Sequence, residues 1–248
     1  MRRVFVSDVH LSPGRPGRTA RFIRFLEREA PRTDELYILG DLFDYWIGPK
    51  HLKLPEYREA VDALRGIVGR GVRVMFLCGN RDFYMRGFAE ATGVEVAPGR
   101  THHRLTIASK RVYLCHGDFL EGQRGFAFAV QRFIRSRFVE WIWTRLPASV
   151  ARCGARFYRW VSGGNKPAAD AAASRVASYG LCAEQVAAEL ARGTDIIVCG
   201  HVHRPQQVPR PVQGMQGTLY TLGDWEHGTS HLVEEDGRWR LCQDGAEI

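Results

Sequence analysis

Five short motifs in this sequence combine the side-chain types that bind divalent metal ions. They are Asp8-Val9-His10, Gly40-Asp41-Leu42-Phe43-Asp44, Gly79-Asn80-Arg81-Asp82, His116-Gly117-Asp118 and Gly200-His201-Val202-His203. Carboxylate, imidazole and amide groups suit Mn²⁺, Fe or Zn²⁺ in mixed nitrogen and oxygen coordination. Two such ions held close together can bind a phosphoryl group and activate its attacker. The motifs therefore predict a two-metal site for phosphoester chemistry.

Each motif follows a short apolar run of β-branched and aromatic residues, which is typical of a buried strand. The runs are Val4-Phe5-Val6, Tyr37-Ile38-Leu39, Val74-Met75-Phe76-Leu77, Val112-Tyr113-Leu114-Cys115 and Ile196-Ile197-Val198-Cys199. Side chains at the carboxyl ends of strands gather at one edge of an α/β sheet. We therefore expect residues that are far apart in the sequence to form one cluster.

The remaining elements place these strand ends inside a layered fold. Apolar residues at helical spacing predict helices over 20–29 and 56–68 that cover a sheet. Three C-terminal segments are predicted to be antiparallel strands that complete a second sheet, namely 218–222, 230–233 and 238–241. We expect a four-layer α/β/β/α sandwich of two mixed sheets, formed by one domain over residues 1–248.

The spacing of the motifs predicts an insertion in this plan. Successive motifs from Asp8 to His116 lie 33 to 39 residues apart, whereas 85 residues separate His116 from His201. The surplus, at about 124–173, is predicted to form a helical cap. Its aromatic and arginine content is typical of helices that lie at a membrane interface. A helical pair packed on the core, with solvated arginines, is the alternative.

The five motifs resemble those of the calcineurin-like metallophosphoesterases, and together they span residues 8 to 203. Within that superfamily, the motifs extended to Gly48, Phe83 and Pro205 are similar to those of the UDP-2,3-diacylglucosamine pyrophosphohydrolase family of lipid A synthesis. This resemblance implies an anionic, lipid-linked nucleotide-sugar substrate, cleaved at its pyrophosphate to UMP and 2,3-diacylglucosamine 1-phosphate. It also implies that the helical cap receives the acyl chains.

The resemblance further implies an assignment of the metal ligands. One ion is assigned to Asp8, His10, Asp41 and His203, and the other to Asp41, Asn80, His116 and His201. Asp41 would bridge the ions and hold them about 3.5–4 Å apart. Mn²⁺ is the expected metal, with Fe or Zn²⁺ as alternatives. The ligands Asp41 and His116, together with Arg81, form the predicted catalytic set.

Three acidic residues that end motifs are predicted to support these ligands: Asp44, Asp82 and Asp118. A ligating imidazole or amide needs an oriented hydrogen-bond acceptor behind it. For Asp82 and Asp118, capping of a following helix is an alternative role.

Arg81 gives the most specific prediction about the reaction. In much of the superfamily, a His that protonates the leaving group follows the motif's Asn; an Arg cannot, because its guanidinium stays charged. A missing acid matters little when the leaving group is a phosphate, so Arg81 favours phosphoanhydride cleavage. A surface arginine in a salt bridge is the alternative. Substrate contacts are predicted for Asn80, Arg81, Asn165 and Lys166.

Composition predicts the setting in which the protein works. A formal net charge of +8 and a pI of about 9.4 favour anionic partners, without choosing among them. No apolar run reaches the length of a signal-peptide core or a membrane span. We therefore expect a cytoplasmic enzyme in peripheral contact with the inner membrane, and its oligomeric state is left open. The six cysteines lack Cys-x-x-Cys pairing and are expected to be core residues.

Two alternative functions use the same residues. A phosphodiesterase or nuclease of the superfamily would grip its substrate with the basic insertion, and its affinity would fall steeply with salt. Nucleic acid is the less favoured partner. A binding module that has lost catalysis should show broken ligands, whereas every expected ligand type is present. We therefore favour an active metal-dependent hydrolase.

Overall fold

The computed structural model describes residues 1–44, 46, 48–82, 85–99, 101–121, 139, 142, 181–226 and 228–248. The strands are β1 Arg2–Val6, β2 Glu35–Leu39, β3 Arg73–Leu77, β4 Glu95–Val96, β5 His102–Ile107, β6 Lys110–Cys115, β7 Ile196–His203, β8 Gln206–Pro209, β9 Thr218–Gly223, β10 Ser230–Glu235, β11 Arg238–Gln243 and β12 Ala246–Glu247. The α-helices are α1 Pro16–Glu29, α2 Pro55–Gly69, α3 Arg86–Thr92 and α4 Ala183–Ala191. Short 3₁₀ helices lie at Ala30–Arg32, Pro49–Lys53 and Asp118–Glu121.

The strands form two mixed sheets. The first has the order β12-β11-β10-β1-β2-β3-β4, in which β1 to β4 are parallel and the other three are antiparallel. The second has the order β5-β6-β7-β9-β8, with β6, β7 and β9 parallel and the outer two antiparallel. Both sheets therefore contain a parallel centre, whose strands end at a common edge.

Alternation along the strands divides the core into layers. In β1, Val4 and Val6 pack toward helices α1 and α2, whereas Phe5 packs between the two sheets. In β7, Val198 lies between the sheets and Ile197 packs on the opposite face, toward α4. Because successive side chains point to opposite faces of a strand, each sheet is buried on both sides. The four-layer α/β/β/α sandwich is therefore confirmed.

Helices α1 and α2 cover the first sheet, as predicted, but each begins at a proline before its predicted start. Pro16 and Pro55 occupy the first turns, where a missing backbone N–H costs nothing. The buried face of α1 includes Phe22 and Phe25, which pack edge-on against the fully buried Trp225. These contacts fix helix α1 beside the carboxyl end of β1.

The predicted membership of the C-terminal strands was wrong for two of the three. Strand β9 lies in the second sheet, parallel to β7, but β10 and β11 extend the first sheet. Pairing of β10 with β1 places Glu234 Oε2 2.7 Å from Arg3 Nη1. Between β9 and β10, the chain crosses to the helix-covered core, where Trp225 is buried. Local alternation identifies a strand, but long-range contacts choose its partner.

The predicted cap at 124–173 lies outside the described residues, apart from 139 and 142. Val139 is buried. The single-domain arrangement and the cap therefore remain predictions, as do the substrate contacts of Asn165 and Lys166, which also lie outside the described residues. Among the described cysteines, Cys78, Cys115 and Cys199 are buried, consistent with core residues.

Candidate metal centre

The end of β7 and the loops that follow β1, β2, β3 and β6 meet at one edge of the sandwich. The first two loops run side by side: the His10 N–H donates to the Asp41 carbonyl at 3.0 Å, and the Leu11 N–H donates to the Leu42 carbonyl at 2.8 Å. In the second sheet, the Gly200 N–H donates to the His116 carbonyl at 2.8 Å. Backbone hydrogen bonds thus hold the predicted ligands in fixed relative positions.

Five predicted ligands have a left-handed backbone conformation. Their φ angles are 54° at Asp8, 51° at His10, 50° at Asp41, 69° at His201 and 57° at His203. Such angles are uncommon outside glycine and cost about 1–2 kcal/mol each. Strain of this kind persists at functional sites, where surrounding contacts enforce it. Five of the ten described non-glycine residues with positive φ are predicted ligands, which supports a functional role for this edge of the sheets.

The motif glycines allow the strands to approach each other at this edge. A Cβ on Gly200 would collide with Ser7 Oγ and Asp8 Oδ2. A Cβ on Gly79 would collide with Asp41 Oδ1 and would lie 2.6 Å from the Asp41 nitrogen. Any larger residue at either position would displace a predicted ligand.

One candidate cluster consists of Asp8, His10 and His203. Asp8 Oδ1 lies 3.2 Å from His203 Nε2 and 3.7 Å from His10 Nε2, and the two imidazole nitrogens are 3.4 Å apart. These three groups each offer one atom within 4.8 Å of the others, a separation that one metal ion can span. The second oxygen of Asp8 accepts the His201 N–H at 2.8 Å.

A second candidate cluster consists of Asp8, Asp41 and His116, again within 4.8 Å of one another. His116 Nδ1 lies 2.9 Å from the Leu39 carbonyl, which fixes the ring and leaves Nε2 facing Asp41 Oδ1 at 3.5 Å. The other oxygen of Asp41 lies 4.0 Å from His10 Nδ1. Asp41 thus lies near histidines of both clusters, and Asp8 is a member of both.

Asn80 and His201 border this second cluster. The side-chain nitrogen of Asn80 donates to Asp41 Oδ2 and Oδ1 at 2.7 and 3.0 Å in the amide orientation that satisfies its neighbours. The His201 ring lies 5.1 Å from the His116 ring, measured between centroids. All seven predicted ligands therefore meet at one edge of the sandwich.

Burial and neighbouring charges shift the pKa values of three residues in the clusters. Burial raises the pKa of Asp8, but the neighbouring His203 outweighs burial and lowers it. Burial also lowers the pKa of His203, yet Asp8 and Asp224 overcome this effect and raise that pKa to about 9. For His10, burial together with Arg81 and His203 lowers the pKa well below its ordinary value.

Arg81 lies against the predicted bridging ligand. Its Nε is 3.3 Å from Asp41 Oδ2, its Nη1 is 2.7 Å from Asp44 Oδ1, and its backbone N–H donates to Asp41 Oδ1 at 3.0 Å. Burial lowers the pKa of Arg81, but the carboxylates of Asp41 and Asp44 outweigh it and raise that pKa. The guanidinium therefore stays charged, and its salt bridge with Asp44 holds it beside Asp41.

Asp82 fixes the loops rather than capping a helix. Its Oδ1 accepts the N–H groups of Asp41 and Gly79, each at 3.0 Å, and its Oδ2 accepts those of Leu42 and Phe43 at 2.6 and 3.3 Å. Burial and the Asp41 carboxylate raise the pKa of Asp82, against the effect of these N–H donors.

Capping of a following helix was the predicted alternative role for Asp82 and Asp118. Helix α3 begins at Arg86, four residues after Asp82, and its start has no side-chain cap hydrogen bond. The capping alternative is therefore wrong for Asp82. Asp118 is buried and begins the 3₁₀ helix Asp118–Glu121.

Sequence reasoning missed Asp224. Its Oδ2 lies 3.3 Å from His203 Nδ1, on the side of the ring opposite to Asp8. The signal was available, because Gly223-Asp224 follows the apolar strand β9 just as Gly40-Asp41 follows β2.

The donor set fits divalent metal ions. Asp8 Oδ1 and His10 Nδ1 are buried and lack a hydrogen-bond partner within the part of the chain that the structure describes. Buried polar atoms are rarely left unsatisfied, so these atoms point to a ligand. Carboxylate, imidazole and amide donors match Mn²⁺, Fe or Zn²⁺.

This fold and this arrangement of acidic and imidazole side chains define a metallophosphoesterase. Residues 1–205 match the model of the calcineurin-like phosphoesterase family. The chain belongs to this family, and the predicted resemblance and the hydrolase class are confirmed. Family and donor set together support divalent metal ions as cofactors.

Curated relatives match nearly the whole chain. The UDP-2,3-diacylglucosamine hydrolase of Aeromonas salmonicida is 32% identical over 247 residues, covering 98% of this chain and 93% of the relative. The UDP-2,3-diacylglucosamine hydrolase of Coxiella burnetii is 32% identical over 244 residues, covering 96% of each chain. The narrower predicted resemblance is therefore confirmed as a similarity.

Solved structures support the architecture. A dimetal phosphatase from Danio rerio aligns over 100% of this chain and 98% of its own, with a TM-score of 0.53 and 11% sequence identity. At this identity the likeness shows the fold alone. Among the described helices, none combines the length and hydropathy that crossing a bilayer requires.

Proposed function

We propose that this chain hydrolyses the pyrophosphate of UDP-2,3-diacylglucosamine, releasing UMP and 2,3-diacylglucosamine 1-phosphate. The observation that carries this proposal is the near-full-length similarity to hydrolases named for that substrate. The geometry of the sheet edge supports it, because the ligand types that phosphoester chemistry needs meet there.

The metal assignment is part of the same proposal. Asp8, His10, Asp41 and His203 hold one ion, and Asp41, Asn80, His116 and His201 hold the other. The carboxylate of Asp41 lies 3.5 Å from His116 Nε2 through one oxygen and 4.0 Å from His10 Nδ1 through the other, which supports its bridging role. Mn²⁺ is the proposed native metal. When bound, such ions polarise the phosphoryl oxygens and make a nucleophile available at neutral pH.

The residues of the chain contribute position and charge to the reaction. Leu39 fixes the His116 ring through Nδ1, so that Nε2 is the available nitrogen. Asp82 restrains the Asp41 loop through three backbone N–H groups and its own loop through that of Gly79. A site built on such fixed groups needs little reorganisation as charge develops in the transition state.

Arg81 gives the site its preference for an anhydride. Its charged guanidinium, held by Asp44, donates hydrogen bonds to a phosphate oxygen but does not give up a proton to the leaving group at neutral pH. The leaving group must therefore depart as an anion, which a phosphate does readily and an alkoxide does not. The predicted catalytic set of Arg81, Asp41 and His116 is accordingly retained as a proposal.

The proposal also places the enzyme at the cytoplasmic face of the inner membrane. A diacylated substrate resides in a lipid layer, and the basic, aromatic sequence of 124–173 suits contact with anionic headgroups. Asn165 and Lys166 are proposed substrate contacts in this segment.

An activity assay tests the proposal directly. Purified protein with Mn²⁺ should release UMP from UDP-2,3-diacylglucosamine, and Asp41→Asn should abolish this release. Cyclic nucleotides and single-stranded DNA serve as comparison substrates. Turnover of these substrates without turnover of UDP-2,3-diacylglucosamine would sink the proposal in favour of a phosphodiesterase or nuclease.

A further inference from the structure

The segment after β9 brings a carboxylate to a ligand of the proposed centre. Asp224 Oδ2 lies 3.3 Å from His203 Nδ1, and Nε2 of the same ring lies 3.2 Å from Asp8 Oδ1. When a carboxylate occupies one ring nitrogen of a histidine, the proton is held there and the other nitrogen is directed at a cation. Asp224 therefore lies where it can select the metal-binding nitrogen of His203.

Asp224 is held in this position from several directions. Its other oxygen accepts the Glu226 N–H at 3.3 Å. The next residue, Trp225, is fully buried, with its ring 5.7 Å from Phe22 and 5.1 Å from Phe25. The Trp225 carbonyl accepts a hydrogen bond from Arg21 Nη1 at 2.6 Å. The carboxylate is thus placed by the packing of this segment on helix α1.

The same helix supports the other histidine of the cluster. Arg18 is 7% exposed, and its Nη1 lies 3.4 Å from the His10 carbonyl and 3.5 Å from the Val9 carbonyl. Its Nη2 lies 3.8 Å from Glu226 Oε2. Helix α1 therefore connects the backbone of His10 with the segment that orients His203.

We propose that Asp224 is a positioning residue, which fixes the tautomer and orientation of His203 for binding one of the two metal ions. The proposal rests on the metal centre proposed above, but it does not depend on the identity of the substrate. Loss of such a hydrogen-bond partner typically weakens metal affinity about 10–100-fold.

The test is a calorimetric titration of the metal-free full chain with Mn²⁺. Wild type should bind two ions, and the matched control Glu226→Gln should bind each of them with the wild-type affinity. Asp224→Ala should bind one ion about 10–100-fold more weakly and leave the other unchanged. Asp224→Asn should recover part of the loss, because its amide oxygen can still accept the Nδ1 proton.

A spectroscopic measurement separates positioning from general stability. In the Zn²⁺-loaded wild type, ¹⁵N spectra should show His203 protonated at Nδ1, and this signal should change in Asp224→Ala while the melting temperature of the metal-free protein does not. Unchanged affinities in Asp224→Ala would overturn the proposal. Equal weakening of both ions, shared by Glu226→Gln, would also overturn it in favour of a purely structural segment. A wild type that binds no Mn²⁺ would overturn the metal centre as well, whereas activity on another substrate would leave this result intact.

Discussion

Among the individual residues, Arg81 gives the most specific prediction about the reaction. Its guanidinium contacts both Asp41, the proposed bridging ligand, and Asp44. The side chain is 24% exposed and forms salt bridges with both residues, so the salt-bridge alternative and the predicted substrate contact both remain to be tested. Its charge can stabilise a transition state, and its backbone N–H, which a substitution retains, also holds Asp41.

Replacing Arg81 should therefore separate catalysis from metal binding. We expect Arg81→Ala to lower kcat/KM for UDP-2,3-diacylglucosamine about 10²–10³-fold, as for removal of one charge-stabilising group. Arg81→Lys should be intermediate, since it keeps the charge but loses the planar fork. Metal analysis should find the wild-type content in both variants. Loss of metal from Arg81→Ala would instead make Arg81 a structural residue.

His231 links stability to pH at a distance from the centre. It is 3% exposed, and its ring packs edge-on against Phe25 at 5.1 Å between centroids. Burial lowers the pKa of His231 from 6.5 to about 4. Between these two pH values, His231 is protonated in the unfolded chain but neutral in the folded protein. The free energy of unfolding therefore falls as the pH falls.

The expected effect can be measured by urea unfolding. From pH 6.5 to pH 4, His231 should remove up to about 3 kcal/mol from the free energy of unfolding. The His231→Gln variant should show a correspondingly weaker dependence over this range. Other groups titrate in both proteins and cancel in the comparison. Identical pH dependence in the two proteins would rule out this role.

At the scale of elements, the strand ends position the ligands through close backbone contact. Glycines at Gly79 and Gly200 leave room for Asp8 and Asp41 beside a neighbouring strand. The left-handed backbone at the ligands turns their side chains toward the shared edge. The positions of the predicted ligands therefore depend on the packing of these strand ends.

A single methyl group tests this packing. Gly200→Ala should destabilise the protein by about 1–3 kcal/mol, because the new Cβ overlaps Ser7 and Asp8. It should also weaken Mn²⁺ binding by displacing Asp8. The matched control is Gly66→Ala in α2, where the nearest atom is Arg70 Nη1 at 3.6 Å. That variant should be neutral or stabilised by up to about 1 kcal/mol. Equal behaviour of the two variants in chemical unfolding would contradict the close-contact account.

At the scale of the whole molecule, the metal centre joins the two sheets. Asp8, Asp41 and Asn80 follow strands of the first sheet, whereas His116, His201 and His203 come from strands or strand ends of the second. Bound ions would therefore crosslink both halves of the sandwich, and their affinity adds to the free energy of unfolding.

Chelation should measure this contribution. At free Mn²⁺ about 100 times the dissociation constant, one ion adds about 2.7 kcal/mol to the free energy of unfolding. The melting temperature of the wild type should therefore fall when the metal is removed and recover when Mn²⁺ is added back. Asp41→Asn, which lacks the bridging carboxylate, should lose most of this shift. A melting temperature that does not depend on Mn²⁺ would contradict a metal centre between the two sheets.

Much of this architecture could be predicted from local patterns. Apolar runs followed by ligand-type residues identified five strand ends, and helical spacing identified α1 and α2. These features depend on residues that are neighbours in the chain, so the sequence displays them directly. The seven predicted ligands then meet at one edge because parallel strands share a direction.

Only the tertiary structure decided which distant groups meet. Strands β10 and β11 joined the first sheet rather than the second, because pairing with β1 is a long-range choice. Asp224 reached His203 because Trp225 packs on helix α1, a contact that no local pattern contains. The sequence by itself therefore determined the ligand types and the strand ends that carry them. Packing determined the partner of each ligand, since side-chain contacts depend on how the sheets and helices come together.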